Sequence, residues 1–406
     1  MKIALFSPLP PKKTGIALYT QNMILSLKKF FEFTLFDFSS LHDKFLGMQI
    51  YDYVDNPSLT AALDDYDLVV YHIGNNPSFH TPIYHVLLQH PGIIILHDAV
   101  IYHLVAGQNK GSFIKDFIIN YGFEKLPELQ QILTENNDNP MAYSKPERYP
   151  LLKTIVDRSK AIIVHSETAR QIVLAQGYTD KVYVIPFMIY YDVLNFTLDP
   201  NTQHNLRNQL RLNEAELIIS ILGFIGSNRR LPSILLALKK LKSNLNFKLL
   251  FVGMVANQEL EDLILSYGLK DNIIYTGYLN SDQDFFSYMN LSDLIINLRY
   301  PSMGETSSIV IQALYFAKAC IVTNKGWPSE LPDDIVYKIP YDEREVDCSV
   351  EAILFLSIEK NRQAMGLKAS QYIQQHYPDQ VSLKYCEIFN TLALSSKLDN
   401  HDVSFR

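Results

Sequence analysis

Apolar positions along the chain fall into two alternating patterns. Short unbroken runs occur at Lys2–Phe6 (KIALF), Phe31–Phe36, Leu68–His72, Ile93–Leu96, Ala161–His165 and Val182–Ile185. Runs of four to six apolar residues predict strands buried on both faces, as in a parallel sheet. Between them lie stretches with helical spacing. In Ile16–Lys29, for instance, Ile16, Tyr19, Met23, Ile24 and Leu27 mark one helix face. A second series follows a polar stretch at 196–214. It predicts strands at Leu217–Leu222, Phe247–Val252, Ile273–Thr276, Leu294–Leu298, Cys320–Thr323 and Ile335–Lys338. Helices are expected at Leu231–Lys242, Gln258–Tyr267, Ser281–Asn290 and Ser307–Ala317. The reading is two successive parallel α/β domains built of βα units, with ligands expected beyond the carboxyl ends of their strands. Residues 99–150 interrupt the rhythm, with polar, loop-like Gln108–Gly111 and Asn136–Pro140 flanking helical material. They predict a helical insertion, either a lid or a surface helical pair.

A length of 406 residues fits two domains with small additions. The 43 acidic residues outnumber the 36 basic ones, for a net charge of −7, which speaks against a general nucleic-acid binder. Cys320, Cys348 and Cys386 are odd in number and widely spaced, so a reducing, cytoplasmic setting is expected. The N-terminus reads as a strand and not as a secretory leader, and no apolar run reaches the length of a membrane span. Lys12, Lys13, Lys28 and Lys29 with Phe30 and Phe31 suggest a small basic–aromatic surface for peripheral membrane association.

The loops that follow the predicted strands carry the candidate chemistry. In Pro8–Gly15 (PLPPKKTG), Gly15 permits close backbone approach to a ligand just before a helix start. His97 and Asp98 follow the strand Ile93–Leu96, with His103 six residues on; Asp98 is an alternative helix cap. His72, His165 and Glu167 hold comparable strand-end positions. The histidines form neither HExxH nor HxH, so no metal centre is expected. In Gly223–Arg230 (GFIGSNRR), Arg229 and Arg230 stand near a helix start, where the dipole disfavours cations unless an anion binds. Asn297–Gln312 (NLRYPSMGETSSIVIQ) brings Arg299, Gly304, Glu305, Thr306, Ser307, Ser308 and Gln312 to a polar turn before an apolar helix. A carboxylate beside several free N–H groups suits a polyol that carries phosphates. The sole tryptophan, Trp327, packs the domain or stacks on a ligand.

These motifs together resemble a GT-B retaining glycosyltransferase of glycosyltransferase family 4, over about residues 1–390. PLPPKKTGIALYT resembles that family's opening glycine loop, which gives Gly15 a place near acceptor and donor phosphates. IILHD matches the strand-end histidine, so His97 is expected near the donor sugar. IIVHSE and VYVIPF resemble the end of the first domain, although Phe187-Met188 replaces the usual histidine-glycine. The spacing from Gly223 to Arg229 matches the phosphate-binding motif. Arg229 stands where lysine is usual, and Phe224 where arginine is common. RYPSMGETSSIVIQAL resembles the donor motif, in a GET-S branch. Glu305 matches its first glutamate, and Gln312 stands near the second, one residue early.

The resemblance implies two Rossmann-like parallel-sheet domains facing each other across a cleft. The first is expected at 1–195 and the donor-binding second at 196–370, with a helix and tail at 371–406 crossing back. The implied activity is retaining transfer from a UDP- or GDP-sugar to a hydroxyl of a glycan or lipid-linked acceptor, for cell-surface polysaccharide or glycolipid. No metal or other cofactor is needed. His97, Glu305 and Arg229 carry the catalytic roles. Gly15, Arg230, Arg299, Gly304, Thr306, Ser307, Ser308 and Gln312 join Arg229 in binding the donor. Two alternatives stay open: a non-catalytic sugar-binding or partner subunit, or a related enzyme with a small soluble acceptor.

Overall fold

The computed structural model describes residues 1–39, 42–178, 181–255 and 259–403, with the backbone alone at 200, 259 and 396–403. The chain divides into two compact units. The first comprises Met1–Tyr190, Met303–Thr306 and the chain from His376 onward; the second comprises Tyr191–Ser302 and Ser307–Gln375.

The strands of the first unit are β1 Lys2–Phe6, β2 Glu32–Asp37, β3 Lys44–Phe45, β4 Met48–Asp52, β5 Leu68–Ile73, β6 Ile93–Leu96, β7 Ala161–Val164 and β8 Val182–Val184. They form one sheet in the order β3-β4-β2-β1-β5-β6-β7-β8. All pairings are parallel except β3–β4. The sheet is parallel, as expected, with a short antiparallel edge at β3–β4, where Gly47, at φ +83°, turns the chain back. The second unit holds β9 Leu217–Leu222, β10 Phe247–Val252, β11 Ile273–Gly277, β12 Leu294–Asn297, β13 Ala319–Thr323 and β14 Tyr337–Ile339, in the order β11-β10-β9-β12-β13-β14. The last strand begins two residues later than its apolar run suggests, because Ile335 and Val336 pack as buried loop residues.

Both sheets are doubly wound. In the first, the chain leaves β1 to one side and returns through β5 to the other; in the second, β9 and β12 make the same switch. The carboxyl ends of such strand pairs open a crevice that backbone cannot fill, where ligands bind in this architecture. The loops after β1 and β5, and after β9 and β12, therefore stand at the two switch points.

The 99–150 stretch is helical, and part of it packs into the first core. Val100, Ile101, Tyr102, Phe113, Phe117 and Leu129 are buried in the first core. Lys110 already starts a helix, Lys110–Tyr121, capped by the Asn109 side chain on the Ser112 N–H. The polar stretch 196–214 contains the helix Pro200–Gln209, capped by Asp199. Its residues are polar because most of them face solvent. The helix expected from Gln258 runs over Glu259–Ser266; Gln258 itself lies outside the described residues, as do 404–406. The helix Pro378–Val403 packs on the helix Gly15–Leu27 of the first unit, where the hydroxyls of Tyr385 and Tyr19 are 2.8 Å apart. Among the described residues no helix is long and apolar enough to cross a membrane.

Candidate functional site

In the second unit, the loop after β9 turns at Gly223, φ +90°, where a Cβ would lie 2.5 Å from Ile309 Cδ1. A Cβ on Gly253 would lie 2.2 Å from the Gly223 carbonyl oxygen, so glycine at 253 lets the loops after β9 and β10 touch. Arg229 is buried at 3% exposure. Its Nε donates to the Phe224 carbonyl at 3.1 Å and its Nη2 to the Leu222 carbonyl at 3.2 Å. The guanidinium is thus held by the backbone of its own loop, while Phe224 stands 61% exposed. Arg230 takes a left-handed conformation at the start of the helix Leu231–Leu241, and its Nε donates to both oxygens of buried Glu345. The structure supplies Arg230 with this protein carboxylate beside its helix start.

After β12 the chain crosses Arg299, whose N–H donates to Thr323 Oγ1 at 2.9 Å, and Tyr300, whose ring stacks on Tyr341 at 4.6 Å. The helix Ser308–Tyr315 is capped by Ser307, whose Oγ accepts from the Val310 N–H at 3.4 Å. Ser308 is its first, half-buried residue. Gln312 is buried, and its carboxamide oxygen has no hydrogen-bond partner among the described residues. Asn297 Nδ2 and Thr306 Oγ1 share that condition. Buried polar atoms are nearly always satisfied, so each of these three atoms calls for a polar ligand group or an ordered water. Gly304, at φ +75°, and Glu305 belong by contact to the first unit. Glu305 Oε2 accepts the Met303 N–H at 2.7 Å, the Met303 carbonyl accepts the Val100 N–H at 2.9 Å, and a Cβ on Gly304 would lie 2.7 Å from Ala99 Cβ. Glu305 is therefore held two residues from the contact with the loop that carries His97.

In the first unit, the Pro8–Gly15 loop is tied down by Asp37, which accepts from the Leu9 N–H and from Lys12. Open space lies beyond Gly15. Lys12 turned inward to Asp37, and Phe31 buried against Phe389, leave only part of the expected basic–aromatic surface outside. His72, His97 and His165 stand at the ends of the adjacent strands β5, β6 and β7, with rings around Tyr19 at centroid distances of 6.1, 5.0 and 4.9 Å. Burial holds His97 well below the ordinary histidine range, helped by His165 and His72, so its ring is neutral. Asp98 caps no helix; its Oδ2 accepts from the Asn75 N–H at 2.7 Å. Asn75 also accepts from the N–H groups of His103 and Leu104 and donates to His103 Nδ1. Glu167 opens the helix Glu167–Leu174 and pairs with Arg170. Trp327 is buried packing.

Sequence reasoning passed over Asn75, His80 and Glu345. The polar triplet Gly74-Asn75-Asn76 directly after β5 was a usable sign; Glu345, far along the chain, gave none. Among the described residues no cluster of three His, Cys, Asp or Glu side chains is disposed to hold a metal ion. A cavity of about 990 Å³ lies at the opposite, amino-terminal edge of the first sheet, lined by Asp67, His90, Lys160 and Lys181 among others. None of the candidate residues line it.

Residues 202–372 match the family described as Glycosyl transferases group 1. No curated protein sequence matches the chain. Several solved structures share its fold from end to end. Anabaena Alr3699/HepE, crystallised with UDP, is 13% identical, with a TM-score of 0.68, and 96% of this chain covers 100% of that one. Sucrose-phosphate synthase from Thermosynechococcus elongatus is 14% identical, with a TM-score of 0.69 and coverages of 97% and 100%. A glycosyltransferase from Rickettsia africae is 15% identical, with a TM-score of 0.67 and coverages of 96% and 98%. The chain has the GT-B fold of these sugar transferases, and its second unit matches glycosyl transferases group 1.

Proposed function

We propose that the protein transfers a sugar from a nucleoside-diphosphate sugar to a hydroxyl of a glycan or lipid-linked acceptor, with retention of anomeric configuration. The support centres on one observation: the candidate loops read from the sequence flank the switch points of two doubly wound sheets. Three orphaned buried polar atoms add to it, at Asn297, Thr306 and Gln312. A UDP-sugar is the first donor to try, because HepE was crystallised with UDP and with UDP-glucose.

In this reading the N–H groups at the start of Ser308–Tyr315 and the arginine loop after β9 stabilise the departing diphosphate. Arg229 fixes that loop through the Leu222 and Phe224 carbonyls and adds positive charge behind it. Glu305 bonds donor-sugar hydroxyls, and Gln312 offers its free carboxamide oxygen to a ribose hydroxyl. His97, being neutral, serves as a hydrogen-bonding group near the sugar and not as a cation. The acceptor hydroxyl attacks on the face that the diphosphate leaves, and a diphosphate oxygen takes the proton, so no protein nucleophile is required. The setting is cytoplasmic, with the acceptor made for cell-surface polysaccharide or glycolipid.

A panel of UDP- and GDP-sugars tests the proposal, read by ligand-induced melting shift and nucleotide release. Raised melting with one donor, and release of its nucleotide, are expected. If no donor of the panel binds or is turned over, the fold serves as a non-catalytic subunit and the proposal fails.

A further inference from the structure

His97 Nε2 lies 3.0 Å from His72 Nδ1, and His72 Nδ1 also lies 3.1 Å from Thr20 Oγ1. The protons of this cluster can be counted. Thr20 has one hydroxyl proton, which it donates to the Ile16 carbonyl at 2.9 Å, one helical turn back. Its oxygen is therefore an acceptor towards both other neighbours. Ser7 Oγ lies 2.7 Å from the same oxygen and also donates to the Pro8 carbonyl at 3.1 Å, so its one proton is shared between these two acceptors. With the Thr20 proton on the Ile16 carbonyl, a protonated His72 Nδ1 pairs donor with acceptor, whereas a bare Nδ1 would set lone pair against lone pair unless the hydroxyl gave up its bond to Ile16.

The opposite arrangement fails twice. If His97 Nε2–H donated to His72, the His72 proton would move to Nε2. That atom is buried without a partner among the described residues. A stranded buried donor costs more than a stranded lone pair, which is the poorer hydrogen-bonding group. Neighbouring rings follow the same rule. His80 Nδ1 donates to the His72 carbonyl at 3.2 Å and His165 Nδ1 to the Ile185 carbonyl at 3.0 Å, each leaving a bare Nε2 inside.

We infer that His72 is a positioning residue that fixes the tautomer of His97. His97 Nε2 is the acceptor of a three-centred bond from His72 Nδ1–H, and the His97 proton resides on Nδ1. Among the described residues His97 Nδ1 has no partner, so this N–H is what the ring presents to a ligand oxygen. The chain Ser7–Thr20–His72–His97 thus converts a backbone acceptor on the helix Gly15–Leu27 into a directed donor at the end of β6. The ligand role rests on the sugar-transfer reading above, whereas the tautomer does not.

The test is ring-nitrogen NMR on the full-length protein labelled with ¹⁵N-histidine, with His97→Asn used to assign the His97 signals. The expected wild-type pattern is a neutral His97 protonated on Nδ1. His72→Asn keeps a donor near the Nδ1 position and retains that pattern; His72→Leu removes the donor and moves the His97 proton to Nε2. A wild-type His97 protonated on Nε2, or a His97 tautomer unchanged in His72→Leu, overturns the inference. The wild-type measurement alone decides the matter if His72→Leu does not fold. Absence of any sugar-nucleotide turnover with the expected tautomer in place would sink the functional reading and leave this one standing.

Discussion

The Nε of Arg230 donates to both carboxylate oxygens of Glu345, at 3.0 and 2.9 Å. Each residue sits at a helix start, Arg230 before Leu231–Leu241 and Glu345 as the first residue of Glu345–Ser357. The dipole of the second helix favours the carboxylate, and the carboxylate offsets the unfavourable cation on the first. Glu345 is almost wholly buried while Arg230 is one-third exposed. Glu345→Ala should therefore destabilise the protein by roughly 1–3 kcal/mol, below the loss expected of a fully buried pair. Thermal melting of both single variants and the double variant checks this. A double variant as destabilised as the sum of the singles would show that the pair is not coupled.

Gln312 makes a prediction of opposite sign in stability and binding. Its buried carboxamide oxygen lacks a partner, so Gln312→Leu should raise the ligand-free melting temperature, by about 1 kcal/mol of stability. The same change should shrink the melting shift produced by the sugar nucleotide. A lower melting temperature for the ligand-free variant would mean that the oxygen is satisfied in solution, by water.

Arg229 and Glu305 separate in their expected effects. Arg229→Ala removes two bonds to loop carbonyls together with a charge, so kcat/KM should fall by about 10–100-fold, equivalent to roughly 1–3 kcal/mol. Melting temperature should fall too, because Arg229 is buried. Glu305→Ala should nearly abolish transfer with little change in melting, since Glu305 is only half-buried and its Oε2 makes a local bond to the Met303 N–H. Steady-state kinetics with the best donor of the panel, set beside melting curves, measures both. Wild-type kinetics in either variant would remove that residue from the mechanism.

Acid should unfold the first unit early. Burial holds His72 and His97 well below the usual histidine range and lowers His80, His165 and His376 to about 4. The unfolded chain, with histidines near 6.5, binds more protons than the folded one between those limits. Stability is thus full above about pH 6.5 and falls with pH by roughly 1.4 kcal/mol per unit for each such histidine. Asp37 and Asp116, raised by burial, take up protons sooner when folded and offset part of the loss at the acidic end. Melting temperatures from pH 8 to about pH 4 follow this, and a flat profile below pH 6.5 would contradict it.

The strand pattern was legible because β1, β6, β9 and β10 are runs whose burial on both faces forces near-continuous apolar sequence. For the same reason the loops that follow them could be picked out as candidate chemistry. Edge elements escaped notice. β3 and β4 lie at the sheet border and mix polar with apolar residues, and the helix Pro200–Gln209 is polar because it faces solvent. Residues 99–150 broke the rhythm, since short helices packing into a core from several sides carry no single amphipathic period.

By itself the sequence determined two α/β units and which loops could hold polar chemistry, because burial and turn geometry act between neighbours in the chain. Only the tertiary structure decided the state of those groups. It set Arg230 against Glu345, left the Gln312 oxygen bare, turned Lys12 inward, and placed His72 beside His97. Each of these depends on which residues far apart in sequence meet, or fail to meet, within about 3 Å, the range in which hydrogen bonds and charges act.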